Sequence, residues 1–211
     1  MSKWSAAVLV LTAVAVVAPA VALAGQLPGT SSQQVSRTTE QVPHMSPEQA
    51  PRISPDFLVA ESGQPTVALS SFKGKVVVME FLFASSAHCM RVAQTLNKLY
   101  GELGSQGFQP LAVVFDPPNA RQSGQQLIPL MHEYFKLTYP VGYASKADVD
   151  SYLNRAPDQI LNIPQLVIID RAGRIRASSG GAGGDPALED EGSLRTLIRK
   201  LLGEAVPGFQ R

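Results

Sequence analysis

The strongest constraint on the fold is one apolar run at residues 76–83, Val-Val-Val-Met-Glu-Phe-Leu-Phe, which only Glu80 interrupts. A continuous run of this length after the turn residues at 73–75 is typical of a central strand of a parallel sheet, covered on both faces. Apolar residues then recur at helical spacing from Val92 to Tyr100, and they predict a helix that ends near Gly101. The core is therefore predicted to contain a buried strand followed directly by a helix.

Strands and helices alternate through the rest of the chain. Residues 55–59 and 66–69 flank a turn and predict a β-hairpin ahead of the apolar run. Alternation of this kind predicts an α/β domain of three layers with a mixed central sheet. Further strands are predicted at 110–115, 139–141, 166–170 and 175–177, and further helices at 125–135, 146–153 and 194–202.

The first 24 residues have the pattern of an export signal. Lys3 precedes an apolar run at 6–17, and Ala22-Leu23-Ala24 provides a small-residue cleavage site. Residues 6–24 also approach the length of about 20 residues that spans a bilayer, so an uncleaved anchor stays open. Either interpretation predicts an extracytoplasmic protein, periplasmic or secreted or anchored in the inner membrane.

Composition separates the export signal from the domain. Residues 25–51 are rich in Gln, Ser, Thr and Pro and are predicted to be a flexible tether. The domain is predicted to occupy residues 52–205, with a short tail at 206–211.

Charge and cysteine content exclude several classes of function. The chain has 18 basic and 17 acidic residues, and a net charge of +1 argues against electrostatic binding of nucleic acid. Its single cysteine, Cys89, excludes an intrachain disulfide and metal sites that need two or more cysteine ligands. His44 and His132 show no ligand spacing to His88 and Cys89, so we expect no metal and no cofactor. A lone exported cysteine is either buried and inert or kept for chemistry with another molecule.

The segment 75–89 resembles the thioredoxin-like superfamily, specifically its exported TlpA-like, AhpC/TSA-related redoxins. Those proteins read G-K-V-V-V-x-F-W-A-x-W-C-x-x-C and continue into a helix with L-N-K-L, which stands here without a gap at 96–99. The likeness extends over almost all of residues 53–202. It implies a thioredoxin-like three-layer α/β/α sandwich with a mixed central sheet and an N-terminal β-hairpin.

The departures from the family motif affect its chemistry. The motif reads Ser86-Ala87-His88-Cys89, so Cys89 occupies the second cysteine position and Ser86 the first. The family's nucleophile is the first cysteine, whose pKa the helix N-terminus lowers. A serine hydroxyl does not exchange disulfides, so the ordinary dithiol cycle is excluded. Ser85 also stands where the family has tryptophan.

The resemblance and the residues together suggest a set of site residues around Cys89. The resemblance implies that Glu80 is the buried acid that helps to deprotonate the second cysteine; pairing with a core lysine or a water-lined pocket is the alternative. Ser86 or Ser85 is expected to cap the helix, and Ser86 to donate a hydrogen bond to a Cys89 thiolate. A protonated His88 would favour the thiolate, unless it is exposed and uninvolved.

The resemblance also implies a substrate groove. It predicts a cis peptide bond before Pro164, facing the active-site helix, with Ile163 and Gln165 as groove contacts. Sequence alone would not predict the cis form, which is a minority of about 5% of such bonds in folded proteins.

Three functions fit these features. The first is an exported monothiol redox protein in which Cys89 acts on disulfides or oxidised thiols of exported partners and an external thiol reductant releases it. The second is a peroxiredoxin-like thiol peroxidase, because Ser86-x-x-Cys89 fits that family's T/S-x-x-C, although Leu82 stands where it has proline. The third is a non-catalytic binding or assembly module that keeps the groove around Pro164.

Overall fold

The computed structural model describes residues 52–60, 65–180 and 184–205. The predicted export signal or anchor at 1–24, the tether at 25–51 and the tail at 206–211 lie outside these residues. No helix within the described ranges has the length and apolar character needed to cross a bilayer. The strands are β1 Arg52–Ile53, β2 Leu58–Val59, β3 Val67–Ala68, β4 Val76–Leu82, β5 Phe108–Val114, β6 Val141–Tyr143, β7 Gln165–Ile169 and β8 Arg174–Ser178. The helices are α1 Ala87–Leu103, α2 Gly124–Phe135, α3 Lys146–Tyr152 and α4 Glu191–Gly203.

The main sheet has six strands in the order β1-β8-β7-β4-β5-β6. Strand β4 lies near its centre, parallel to β5 and antiparallel to β7. Every residue of β4 is buried, as its unbroken apolar run predicts. The mixed central sheet is therefore confirmed.

Two layers cover the sheet, and β4 contributes alternate side chains to each of them. Val76, Val78 and Leu82 join the core that contains residues of α1, α2 and α4. Met79 and Phe81 join the opposite core, which contains residues of the hairpin and of α3. This arrangement confirms the three-layer sandwich.

The predicted hairpin is present as strands β2 and β3, which pair antiparallel in a small separate sheet. Its turn at 61–64 lies outside the described residues. The hairpin contacts the edge of the main sheet through an isolated bridge between Ala60 and Tyr143. Gly142 permits this contact, because a Cβ there would lie 2.4 Å from Cγ1 of Val59.

Several element boundaries differ from the prediction, including the end of α1 and both ends of β6. Helix α1 passes Gly101 and ends at Leu103, whose side chain is buried in the core. That burial outweighs the cost of about 1 kcal/mol for a glycine inside a helix. Strand β6 spans Val141–Tyr143 and so begins two residues after Tyr139, whose buried ring donates a hydrogen bond of 3.1 Å from its hydroxyl to the carbonyl of Ala93.

Candidate functional site

The first turn of α1 forms one side of the candidate site. Ser86 is its N-cap, in an extended conformation, and its Oγ accepts a hydrogen bond of 3.3 Å from the backbone N–H of Cys89. The backbone N–H of Ser86 donates in turn to the carbonyl of Phe83 at 2.9 Å, which fixes the turn between β4 and α1. Ser86 rather than Ser85 is therefore the cap.

Cys89 lies on the inner face of this turn, fully buried in the core between α1 and the sheet. Burial raises the pKa of the Cys89 thiol, and the nearby Glu80 carboxyl raises it further. Hydrogen bonding with the Ser86 hydroxyl and the backbone of Phe83 opposes this rise in pKa without cancelling it. The resting thiol is therefore protonated and shielded.

Glu80 points to the same core as Cys89. Its strand neighbours Val78 and Leu82 belong to that core, and alternation places the Glu80 side chain on their face. The side chain is fully buried, and neither carboxyl oxygen has a hydrogen-bond partner among the described residues. Burial, with a smaller contribution from the charge of Glu189, raises the pKa of Glu80 well above its usual value. The core lysine that the sequence left open as a partner is not there.

The other buried carboxylate among the described residues shows how unusual Glu80 is. Asp150 in α3 is paired with both Lys146 and Arg155. Desolvation would raise the pKa of Asp150, but the hydrogen bonds from these two cations outweigh it and lower the pKa. Asp150 is thus a satisfied structural acid, whereas Glu80 lies in the core without a partner.

His88 pairs with an acidic residue of another element. Its Nε2 lies 2.9 Å from Oε2 of Glu189, at the end of the short 3-10 helix Pro186–Glu189. The His88 side chain is 49% exposed and that of Glu189 is 26% exposed. His88 therefore pairs with an acid instead of standing free beside the thiol.

The predicted groove residues begin β7. The peptide bond between Ile163 and Pro164 is cis. Gln165 pairs with Phe81 in the ladder with β4, so these residues lie beside the end of the strand that leads into Ser86. The Gln165 side chain is only 5% exposed, and its amide lies 3.4 Å from the Ser178 hydroxyl. Gln165 is thus buried at the start of β7, an interior strand, and does not face solvent as a groove contact would.

A cavity of about 290 Å³ opens beside Ser85, in the turn between β4 and α1. Its wall is largely apolar and includes Phe115 and Leu127. Ser85 stands where the resembling family has tryptophan. The short side chain leaves this space open.

A match to a family model shows to which protein family the chain belongs. The model of the AhpC/TSA family matches residues 51–178, which is more than half of the 211 residues. The chain belongs to the AhpC/TSA family. No curated protein matches it.

Solved structures similar to this AhpC/TSA-family chain share its thioredoxin-like fold. The thioredoxin domain of a thiol-disulfide oxidoreductase from Bacteroides vulgatus is 24% identical, with a TM-score of 0.55 over 72% of this chain and 96% of that one. A thiol:disulfide interchange protein from Bacteroides sp. is also 24% identical, with a TM-score of 0.55 over 75% and 93%. A thioredoxin-family thiol:disulfide interchange protein from Chlorobium tepidum is 16% identical, with a TM-score of 0.58 over 73% and 98%. These likenesses confirm the fold.

This AhpC/TSA-family site combines one shielded thiol with one buried acid. The structure brings Cys89, Ser86 and Glu80 together, and it turns His88 towards Glu189. Sequence reasoning missed Glu189, which lies a hundred positions after Cys89 on a short surface turn without a motif. No group of three metal-ligating side chains occurs in the described part of the chain.

Proposed function

We propose that this chain is an exported thioredoxin-like thiol redox protein whose monothiol centre, Cys89, acts on disulfides or oxidised thiols of exported partners. The observation that carries the proposal is Glu80, a fully buried acid on the core face that holds Cys89, to which no residue of the described ranges is hydrogen-bonded. An unsatisfied polar group in a core costs about 1–3 kcal/mol. A role as proton acceptor for the Cys89 thiol explains why Glu80 stands in the core despite this energetic cost.

The pKa directions agree with that role. A carboxylate whose pKa is raised is a stronger base than an ordinary glutamate and takes up a proton more readily. The pKa of the Cys89 thiol is raised as well, so the resting protein holds no preformed thiolate. Cys89 therefore loses its proton during the attack on the disulfide. The Ser86 hydroxyl stabilises the charge that develops on sulfur.

The proposed reaction has two balanced steps. Cys89 transfers its proton to the Glu80 carboxylate as its sulfur attacks a partner disulfide; one new S–S bond forms, the partner S–S bond breaks, and a partner thiolate leaves. An external thiol then attacks the mixed disulfide, and Cys89 leaves as thiolate and recovers the proton from Glu80. The partner and the external thiol end as a disulfide, and Cys89 is regenerated.

Access to the thiol is the structural requirement of this reaction. Cys89 is fully buried, so its sulfur must become exposed when a partner docks. The half-buried Ile163 and the adjacent Pro164 lie at the start of β7, beside the end of β4. An extended partner segment that binds there would reach the turn that precedes Cys89.

The test uses the single cysteine as its own reporter. Purified domain is reacted with a chromogenic disulfide at pH 7, and mass spectrometry identifies the mixed disulfide. We expect the parent to release one equivalent of chromogenic thiolate per chain and Cys89→Ser to release none. Glu80→Gln is expected to react about a hundredfold more slowly, which is the lower end of the range for loss of a general base. Labelling of the parent and of Glu80→Gln in denaturant confirms that the thiol of each is intact.

Two results would overturn the proposal. One is a native rate no greater than that of a model thiol whose pKa matches the one measured for Cys89. The other is a Glu80→Gln variant that reacts as fast as the parent. Consumption of peroxide through a Cys89 sulfenic acid, with no reaction at disulfides, would instead identify the thiol peroxidase alternative.

A second candidate is a non-catalytic binding module. Two observations favour it: the Cys89 thiol is fully shielded, and the cavity beside Ser85 is open to an apolar side chain of a partner. Here a Cys89→Ala variant would keep partner binding and cellular phenotype in full. A variant that loses the phenotype while it still folds and binds would refute the module.

Export is part of the proposal and has its own test. Residues 1–24 fused to a reporter that is active only outside the cytoplasm are expected to give activity, and Ala24 at the predicted cleavage site is expected to decide its release. A reporter that stays inactive would remove exported thiols and disulfides from the possible partners.

A further inference from the structure

Glu189 is joined to the thiol site by packing. It ends the 3-10 helix Pro186–Glu189, directly after Leu188. The Leu188 side chain is fully buried in the same core cluster as Cys89. The 3-10 helix is therefore anchored in the core that shields the thiol.

Glu189 is also joined to the first turn of α1. Its Oε2 lies 2.9 Å from Nε2 of His88, the residue before Cys89. The following helix α4 is held to α1 further along, through Lys98–Glu191 at 2.7 Å and Arg195–Glu102 at 3.0 Å. The contact between His88 and Glu189 thus joins the two elements at the end of α1 where the thiol lies.

We propose that Glu189 is a positioning residue of the thiol site: through its bond to His88 it holds the 3-10 helix against the first turn of α1 and keeps Cys89 shielded. When the contact between His88 and Glu189 is lost, the first turn of α1 is no longer held against the 3-10 helix. The salt bridges of α4 keep the rest of the interface in place, so the exposure of the sulfur is local. The inference adds regulation to the proposed redox function, on which it rests for its biological purpose.

The two partners of the bond provide a discriminating pair of variants. Glu189→Gln removes a negative charge beside the site, and His88→Gln removes the imidazole ring that binds it. If these residues acted on the thiol through charge alone, the two substitutions would not change its reactivity in the same direction, because only Glu189 carries a negative charge. We call the proposed positioning contact between His88 and Glu189 the latch. It predicts that both substitutions change the reactivity of Cys89 in the same direction, because either one removes the same contact.

The experiment measures how fast iodoacetamide alkylates Cys89 in the folded domain, followed by intact mass, with Cys89→Ser as the blank. We expect Glu189→Gln and His88→Gln each to accelerate labelling about two- to fivefold, the range for loss of a partly exposed ion pair. The double variant is expected to label no faster than either single variant. The matched control Glu191→Gln breaks the contacts to Lys98 and Arg195 and is expected to stay within about twofold of the parent.

Three outcomes would overturn the latch: Glu189→Gln labels no faster than Glu191→Gln, the two substitutions shift the rate in opposite directions, or their effects multiply in the double variant. The dependence of labelling on low urea concentrations separates local opening, which is shallow, from global unfolding, which is steep. Iodoacetamide requires access and not disulfide exchange. A protein that shows this labelling pattern but exchanges no disulfide would refute the redox function and keep the latch.

Discussion

Replacing Glu80 by leucine is expected to stabilise the domain, although it removes the proposed base. The carboxyl is fully buried and its two oxygens have no hydrogen-bond partner among the described residues. Leucine removes a buried unsatisfied polar group, worth about 1–3 kcal/mol, and keeps an apolar side chain of similar size in the core. For a domain of this length, each 1 kcal/mol corresponds to about 2–4 °C in Tm.

The stabilisation of the domain by Glu80→Leu, relative to the parent, is expected to grow as pH rises. The pKa of Glu80 is raised in the folded state, so the folded chain holds this proton over a pH range in which the unfolded chain has lost it. Stability of the parent therefore falls as pH rises from about 4.3, the usual glutamate value, towards the raised pKa. The slope from this one group approaches about 1.4 kcal/mol per pH unit, and Glu80→Leu lacks it.

The assay is urea unfolding of the parent, Glu80→Leu and Glu80→Gln at pH 4, 5.5 and 7. Glutamine is the matched control, because its amide keeps a buried polar group in place but cannot ionise. We expect the unfolding free energy of Glu80→Gln to lack the pH-dependent contribution of Glu80. Glu80→Leu is expected to lack it as well, and to be more stable than Glu80→Gln by an amount that does not change with pH.

The reasoning fails if Glu80→Leu is less stable than the parent at pH 7. It also fails if the difference in unfolding free energy between the two is the same at pH 4 and pH 7. Either result would mean that Glu80 is satisfied in solution by a partner of its own. Its availability as a base would then lose its support.

Three further substitutions test other parts of the structure. Ser86→Ala removes the N-cap and is expected to cost about 1 kcal/mol in urea unfolding, and to raise the pKa of Cys89 measured from the pH dependence of alkylation. Gly142→Ala places a Cβ 2.4 Å from Cγ1 of Val59 and is expected to cost about 1–3 kcal/mol, seen as a lower Tm; an unchanged Tm would refute the close docking of the hairpin. Asp150→Asn breaks a buried ion pair and is expected to cost about 3 kcal/mol at pH 7. Because the pKa of Asp150 is lowered in the folded state, that loss should shrink as pH falls below about 4.

Much of the fold could be predicted from the sequence, because its core elements have strong local patterns. The run at 76–83 predicts a central buried strand without any partner being known, and β4 spans Val76–Leu82. The helix after it is also predicted, but its end is not. Packing of Leu103 in the core overrides the stop that Gly101 suggests.

The side-chain partners at the site could not be predicted, since they depend on long-range packing. Glu80 could have met a lysine, and only the assembled core shows that it meets none. His88 was expected beside the thiol or free in solvent, and it pairs with Glu189 because the 3-10 helix is anchored through Leu188. Gln165 follows the cis peptide bond as predicted, but its amide turns inward to Ser178.

The serine cap has an evolutionary consequence. Serine is among the best N-cap residues, whereas a thiol is a weak hydrogen-bond acceptor, so Ser86 ties the start of α1 more firmly than a cysteine at that position would. A chain that exchanged a cysteine at position 86 for serine would gain folding stability in the same step in which it lost a second thiol. Restoring that cysteine would have to give the stability back before any gain in chemistry.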